Sequence, residues 1–254
     1  MKPGARHRPQ PLAVRPLSQR ASLHLMIPPP HVDWHAKCPP DGDALSNDKY
    51  GCCVEVADYR IIQMRKANMW GDATKPLVSD ILARYSAFTG FNITTGQPDN
   101  GTDTVADMQS WCTHGIRISD QTEDVPYWSM AHPADQNEVN LAIAHTGPVA
   151  ITMLLPIGAQ DLGAWSRAPG TGADWTPGSW GGHRVMCGKY DGNVRTIRTW
   201  GVDVAVHPEF WAAYVVAVDA TISHEWLTTT GLTPLGLDFD ALKTDMTDIR
   251  LTPG

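Results

Sequence analysis

The chain of 254 residues is long enough for one large domain or for two small lobes sharing a cleft. With 42% hydrophobic and 19% charged residues it has the composition of a globular protein that buries a core, and its longest apolar runs, about 149–157 and 215–220, are far shorter than the roughly 20 residues of a membrane span. The formal net charge of −7 is unevenly spread, because Lys2, Arg6, Arg8, Arg15 and Arg20 all precede the first acid, Asp33.

Residues 1–33 hold Pro3, Pro9, Pro11, Pro16 and the run Pro28-Pro29-Pro30, which exclude helix and favour an extended path. This is a basic arm. It suits an acidic protein groove or nucleic acid, or is a solvated tail. Prolines and Arg15 and Arg20 interrupt any apolar h-region after Lys2, so no secretory signal is expected. Five cysteines at irregular spacing, with no CxxC pair, argue against a disulfide framework or a structural zinc site and fit a reducing compartment.

A helix is expected from about 51–53, where Val54, Ala57, Ile61 and Met64 recur at helical spacing and Glu55 and Asp58 occupy the first turns. Pro76 opens a second through Val78, Ile81, Leu82 and Tyr85 to Gly90, and a third runs over 105–113 to Gly115. A short helix over 137–145 leads through Gly147-Pro148 to a buried strand over 149–155. The Gly-, Ala- and Trp-rich stretch 158–179 is expected to be a surface loop. Strands follow over 183–190, 194–200 and 214–218, the first two joined by an Asp191-Gly192 hairpin turn. Short helices at 224–227 and 239–246 are expected to pack outside. Helices first and strands second make an α+β chain in which each half forms one wall of a cleft.

Cys53 stands at the start of the first long helix, where unpaired amides favour thiolate; the alternative is an inert buried cysteine. The run Gly178-Ser179-Trp180-Gly181-Gly182-His183-Arg184-Val185 delivers a histidine onto a strand behind glycines that admit a substrate backbone, although with ten histidines any one alone is a weak signal. Asn47, six positions before Cys53, has a side-chain amide that can serve an oxyanion, or is a turn residue.

Together these elements resemble the papain-like cysteine peptidases. The same order and approximate spacing hold over about 43–219: Asn100-Gly101, the run from Met108 to Gly115-Ile116, Gly147-Pro148-Val149-Ala150, Gly182-His183, and Thr199-Trp200-Gly201, which is similar to the family's "SWG". The stretch Ser46-Asn47-Asp48-Lys49-Tyr50-Gly51-Cys52-Cys53 looks like the "GNDxxGDC" of a divergent bacterial and tailed-phage branch, with Cys52 in place of Asp. The resemblance implies a two-lobed fold, with Cys53 as nucleophile, His183 as general base and acid, and Asn47 with the Cys53 amide as oxyanion hole. It also implies that Trp200 shields the histidine, while Trp180 reads as structural. The family's third triad residue falls on Arg198, which has no acceptor for an imidazole N–H, so another group must orient His183 or catalysis is weakened.

The domains expected are the arm at 1–33, a papain-like domain at 34–220 (helical lobe about 34–135, β lobe about 136–220) and a helical extension at 221–254. The function expected is that of a cysteine hydrolase acting on a peptide or amide, without cofactor or metal, whose Cys53 reacts with iodoacetamide faster than Cys112 or Cys187. The alternative is a weakened or inactive structural protein, such as a virion component docked on a protein partner through its arm. Neither membrane nor nucleic acid is expected as a partner, and the location expected is the cytoplasm or a phage particle.

Overall fold

The computed structural model describes residues 1–9, 14, 16–17, 26–119, 121–123 and 127–238. Helix α1, Cys53–Trp70, begins where its apolar spacing places it, carries Glu55 in its first turn, and stops at Gly71, whose φ of +72° suits a residue without a Cβ. It is buried nearly all round, so its apolar stripe is faint. Arg65, fully enclosed, donates to the carbonyls of Thr146 (3.1 Å) and Thr221 (2.6 Å) and to the hydroxyls of Thr221 and Ser223, tying this central helix to the sheet half. Helices α2 (Val78–Thr89) and α3 (Thr104–His114) pack beside it and end at Gly90 and Gly115 as expected. Asp103 caps α3 by accepting from the amides of Val105 and Ala106, both at 2.9 Å.

Seven strands form one antiparallel sheet: β2 (His31–Asp33), β6 (Tyr127–Ala131), β7 (Val149–Leu155), β8 (Gly181–Asp191), β9 (Val194–Thr199), β10 (Val202–Val206) and β11 (Val215–Ile222). The order is β10-β9-β8-β7-β11-β6, with β2 pairing β8 through Val32 and Tyr190. Helix α4 (Gln136–Thr146) precedes β7 as expected. The short parallel pair β1 (Ala5–Arg6) and β3 (Thr102–Asp103), and the hairpin β4 (Ile116–Ile118) with β5 (Gln121–Glu123), lie outside this sheet.

Several sequence boundaries move. Residues 31–33 of the arm are a strand of the sheet, and β6, within the stretch 34–135 assigned to the helical lobe, pairs with β11. The strand expected at 214–218 is preceded by a helix, α5 (Pro208–Tyr214), and extends to Ile222, past the start of the expected 221–254 extension. Residues 158–179 are no simple surface loop: three 3-10 turns bring Trp165 into the core, where its indole donates to the Ala159 carbonyl at 2.8 Å. Trp226 also turns inward, donating to the His145 carbonyl (3.0 Å) edge-on to Trp34, because an indole this large gains more from burial than from the exterior packing expected of 224–227. The helix expected at 239–246 lies outside the described residues.

Among the described residues two large hydrophobic cores result. One lies within the sheet half, around Ile151, Met153, Trp165, Phe210 and Trp211, and the other joins the helices, around Tyr59, Met64, Tyr85, Met108 and Trp111. Among the described residues no helix is long and apolar enough to cross a membrane.

Candidate active site

Cys53 is the first residue of α1, so its own amide is among those with no partner inside the helix. The thiol is 1% exposed and packs with Val54 and with Ala5 of the arm. Burial pushes the thiol up to about 12, against the backbone of Arg184 and of Gly4, which favours the thiolate. Arg184 follows His183 on β8, so the strand bearing the imidazole lies against the head of the helix bearing the thiol.

His183 is equally enclosed, and burial pushes its pKa down to about 3, which keeps the ring neutral. Its Nε2 lies 2.8 Å from the hydroxyl of Thr199, while Nδ1 is buried with no hydrogen-bond partner among the described residues. The ring stacks on Trp200 (centroids 4.3 Å, 10° between planes), and Trp180 stacks on the other indole at 5.9 Å. Trp200 also donates to the Asn47 carbonyl at 3.3 Å, which draws Asn47 and His183 onto one tryptophan.

Arg198, at the position where the resemblance puts an orienting Asn, is engaged elsewhere. Its Nε and Nη2 donate to Asp203 at 2.8 and 3.1 Å, and Nη1 points at the Cys38 sulfur at 3.6 Å. Asp203 faces Arg198 across the β9–β10 ladder. The group that meets the imidazole is instead Thr199, which sequence reasoning missed. The signal was present: Trp200-Gly201, both at positive φ (+46° and +79°), is a two-residue turn that sets Arg198 opposite Asp203 and leaves Thr199 beside the site. Cys52 is buried in the helical core and burial raises its pKa, in keeping with a packing role.

The basic arm does not extend into solvent over its first nine residues; it lies in the cleft of its own chain. Ala5 pairs with Thr102 and Arg6 with Asp103, and the Thr102 amide donates to the Gly4 carbonyl at 2.8 Å. Asn47 Nδ2 donates to the Lys2 carbonyl at 3.1 Å and to the Tyr50 carbonyl at 3.0 Å, and the Lys2 amide returns a bond to the Asn47 carbonyl at 3.3 Å. The Lys2 ammonium meets Asp99, and Arg8 meets Asp103 at 3.1 Å. Glycines make the approach possible: a Cβ on Gly4 would overlap the Gly51 carbonyl, one on Gly101 the Gly4 carbonyl, and one on Gly182 the Ala5 carbonyl. The expectation of a fast-reacting Cys53 is therefore corrected for the resting chain, because the arm seals the thiol from water.

Beneath the site lie buried charges. Arg184 donates to Asp219 (2.6 Å) and to the Thr152 hydroxyl, and Arg84 donates to Asp107 (2.6 Å). Glu55 accepts from the Thr102 hydroxyl at 2.6 Å, and burial, followed by the nearby Asp107 carboxylate, pushes its pKa up to about 8. A carboxyl that holds its proton more tightly folded than unfolded stabilises the fold at low pH, and this stability is lost as pH rises from the ordinary carboxyl range toward 8. Glu55→Gln is thus expected to flatten the fall in unfolding free energy between pH 5 and 7, removing a slope of up to about 1.4 kcal/mol per pH unit, measured by denaturant titration. An unchanged slope would mean that Glu55 titrates normally.

No family model and no curated relative matches the chain. Solved structures do. Xylellain, a cysteine protease from Xylella fastidiosa, matches at TM-score 0.61 and 14% identity over 87% of this chain and 95% of its own. Procathepsin B from Trypanosoma congolense matches at 0.59 and 11% over 88% and 86%, and a cysteine protease from Carica candamarcensis at 0.51 and 13% over 76% and 98%. At such identities the likeness concerns architecture alone: the chain has the α+β papain-like fold.

Proposed function

We propose that the chain is a cysteine hydrolase acting on peptide or amide bonds, held closed by its own N-terminal residues. The observation that carries this reading is the peptide already in the cleft. A main-chain carbonyl is received by the Asn47 side-chain amide while the same segment crosses the Cys53 sulfur, so the groove is built to hold an extended backbone over a thiol. The fold shared with cysteine proteases supports the same class.

In this reading Cys53 Sγ attacks the substrate carbonyl carbon as its proton passes to His183 Nδ1, the ring nitrogen without a hydrogen-bond partner among the described residues, which requires the tautomer that donates Nε2–H to the Thr199 hydroxyl. The oxyanion is received by Asn47 Nδ2–H and the Cys53 N–H. The tetrahedral intermediate expels the amine, which takes the proton from His183. Water then adds to the thioester with His183 as base, releasing the acid and restoring the thiol. Trp200 and Trp180 keep water off the outer face of the imidazole.

The test is hydrolysis of peptide amides by the full-length chain with its arm displaced by Gly4→Phe. Turnover should disappear in Cys53→Ala. Thr199→Val, which removes the hydroxyl that orients the ring, should lower kcat on the order of tenfold and shift its pH profile, short of the roughly 10²–10⁴-fold that the acid–base step itself supplies. If the displaced chain neither turns over peptides nor reacts at Cys53, the fold serves as an interaction scaffold.

A further inference from the structure

We propose that Asp99 makes the cleft select a lysine or arginine side chain at the substrate residue whose carbonyl Asn47 receives, an inference that rests on reading the cleft as a peptide-binding hydrolase site. Lys2 shows the arrangement in place. Its carbonyl is on Asn47 Nδ2 while its ammonium reaches Asp99 Oδ2.

Asp99 is prepared for that cation before any ligand arrives. Oδ1 accepts from the Tyr85 hydroxyl at 2.6 Å and from the Gly51 amide at 2.8 Å, two residues ahead of the thiol, which fixes the carboxylate and leaves Oδ2 for the cleft. The Tyr85 hydroxyl accepts in turn from the Gly101 amide at 3.0 Å, so both walls of this corner hold the acid. With the arm seated, the Asp99 side chain is 4% exposed, whereas that of Lys2 is 41% exposed at the rim. An enclosed carboxylate is costly without a positive partner, and withdrawal of the arm takes its partner away. A substrate that brings an ammonium or guanidinium to the same place restores a charge-assisted bond, a neutral side chain leaves the acid unpaired, and an acidic one adds repulsion. The half-open rim leaves room for the longer arginine. The second arm cation, Arg8, meets Asp103 where both are substantially exposed, and a pair of that kind contributes little.

Binding tests this without turnover. Fluorescent acetyl-Ala-Ala-X-amides, with X as Lys, Arg, norleucine or Glu, are titrated into the full-length Cys53→Ala/Gly4→Phe chain and followed by anisotropy. Lys and Arg should bind at least tenfold tighter than norleucine, Glu should bind more weakly still, and the gap should narrow at high salt. Adding Asp99→Asn, which retains an acceptor for the Gly51 amide, should erase the difference between Lys and norleucine. Equal affinity for Lys and norleucine in the folded Asp99-containing chain overturns the inference, and needs no Asp99 variant to do so. A lysine preference in a chain that shows no Cys53-dependent hydrolysis would uphold the Asp99 site and remove the enzyme reading.

Discussion

Full-length Gly4→Phe should be alkylated at Cys53 by iodoacetamide at least on the order of a hundredfold faster than the wild-type chain near neutral pH, as followed by peptide mass mapping. In the resting chain Cys53 should react no faster than buried Cys187, since both thiols are enclosed and burial pushes each up to about 12. Any side chain on Gly4 overlaps the Gly51 carbonyl, so the arm cannot reseat and water reaches the sulfur. A fall from about 12 to the ordinary value of 9.0 is three decades (12 − 9 = 3), hence roughly a thousandfold in thiolate below both values, before the helix terminus adds its share. What the variant gives up is the arm's own seat, the Gly51 and Gly101 contacts and the bond from the Thr102 amide to the Gly4 carbonyl. An unchanged rate in a chain whose residues 1–9 have become protease-sensitive would remove the occlusion account.

The second large effect concerns stability. Asp219→Ala is expected to cost about 3–5 kcal/mol, the usual loss when one partner of a buried ion pair is removed and the other charge is left enclosed. In a chain of this size that lowers Tm by roughly 10 °C. Arg184 and Asp219 are both fully buried at 2.6 Å, and Asp219 also receives the Trp128 indole N–H at 2.9 Å, so the substitution orphans two donors at once. Asp58 lies close enough to Arg184 to offset part of the loss, which places the expectation within the stated range and not above it. The backbone of Arg184 also favours the Cys53 thiolate, so calorimetry should be paired with the alkylation rate. A Tm within about 2 °C of wild type would show that the neighbouring carboxylates replace Asp219 completely.

The helical half was legible because its signals are local. Apolar residues at helical spacing place the start of α1, and with the stops at Gly90 and Gly115 they place α2 and α3 within about two residues. The runs forming β7, β8 and β9 were equally plain, as was the hairpin between the last two, although its two-residue loop is Gly192-Asn193, one position beyond the expected Asp191-Gly192, because Asp191 still pairs with Val194. What escaped depended on partners distant in sequence. Strand β6 is five residues stabilised by pairing with β11, some ninety positions on, and Trp165 reads as a loop residue until the sheet supplies its pocket. Helix α5 did carry its signature, with Pro208 in its first turn and a capping bond from the Glu209 amide to His207, in a short stretch for which no element was expected. At the site, residue types at fixed spacing pointed to Cys53, His183 and Asn47. Thr199 was hidden behind Arg198, whose partner Asp203 sits on a strand the pattern did not reveal. The cleft's occupant had no sequence signature beyond its charge, because residues 3–6 engage it mainly through backbone atoms and glycines.

The occupant of the cleft belongs to the same chain, and that has a kinetic consequence. A tethered segment keeps the same effective concentration over the Asn47 amide however dilute the protein is. Closure by it should not weaken on dilution, as closure by a separate inhibitor would.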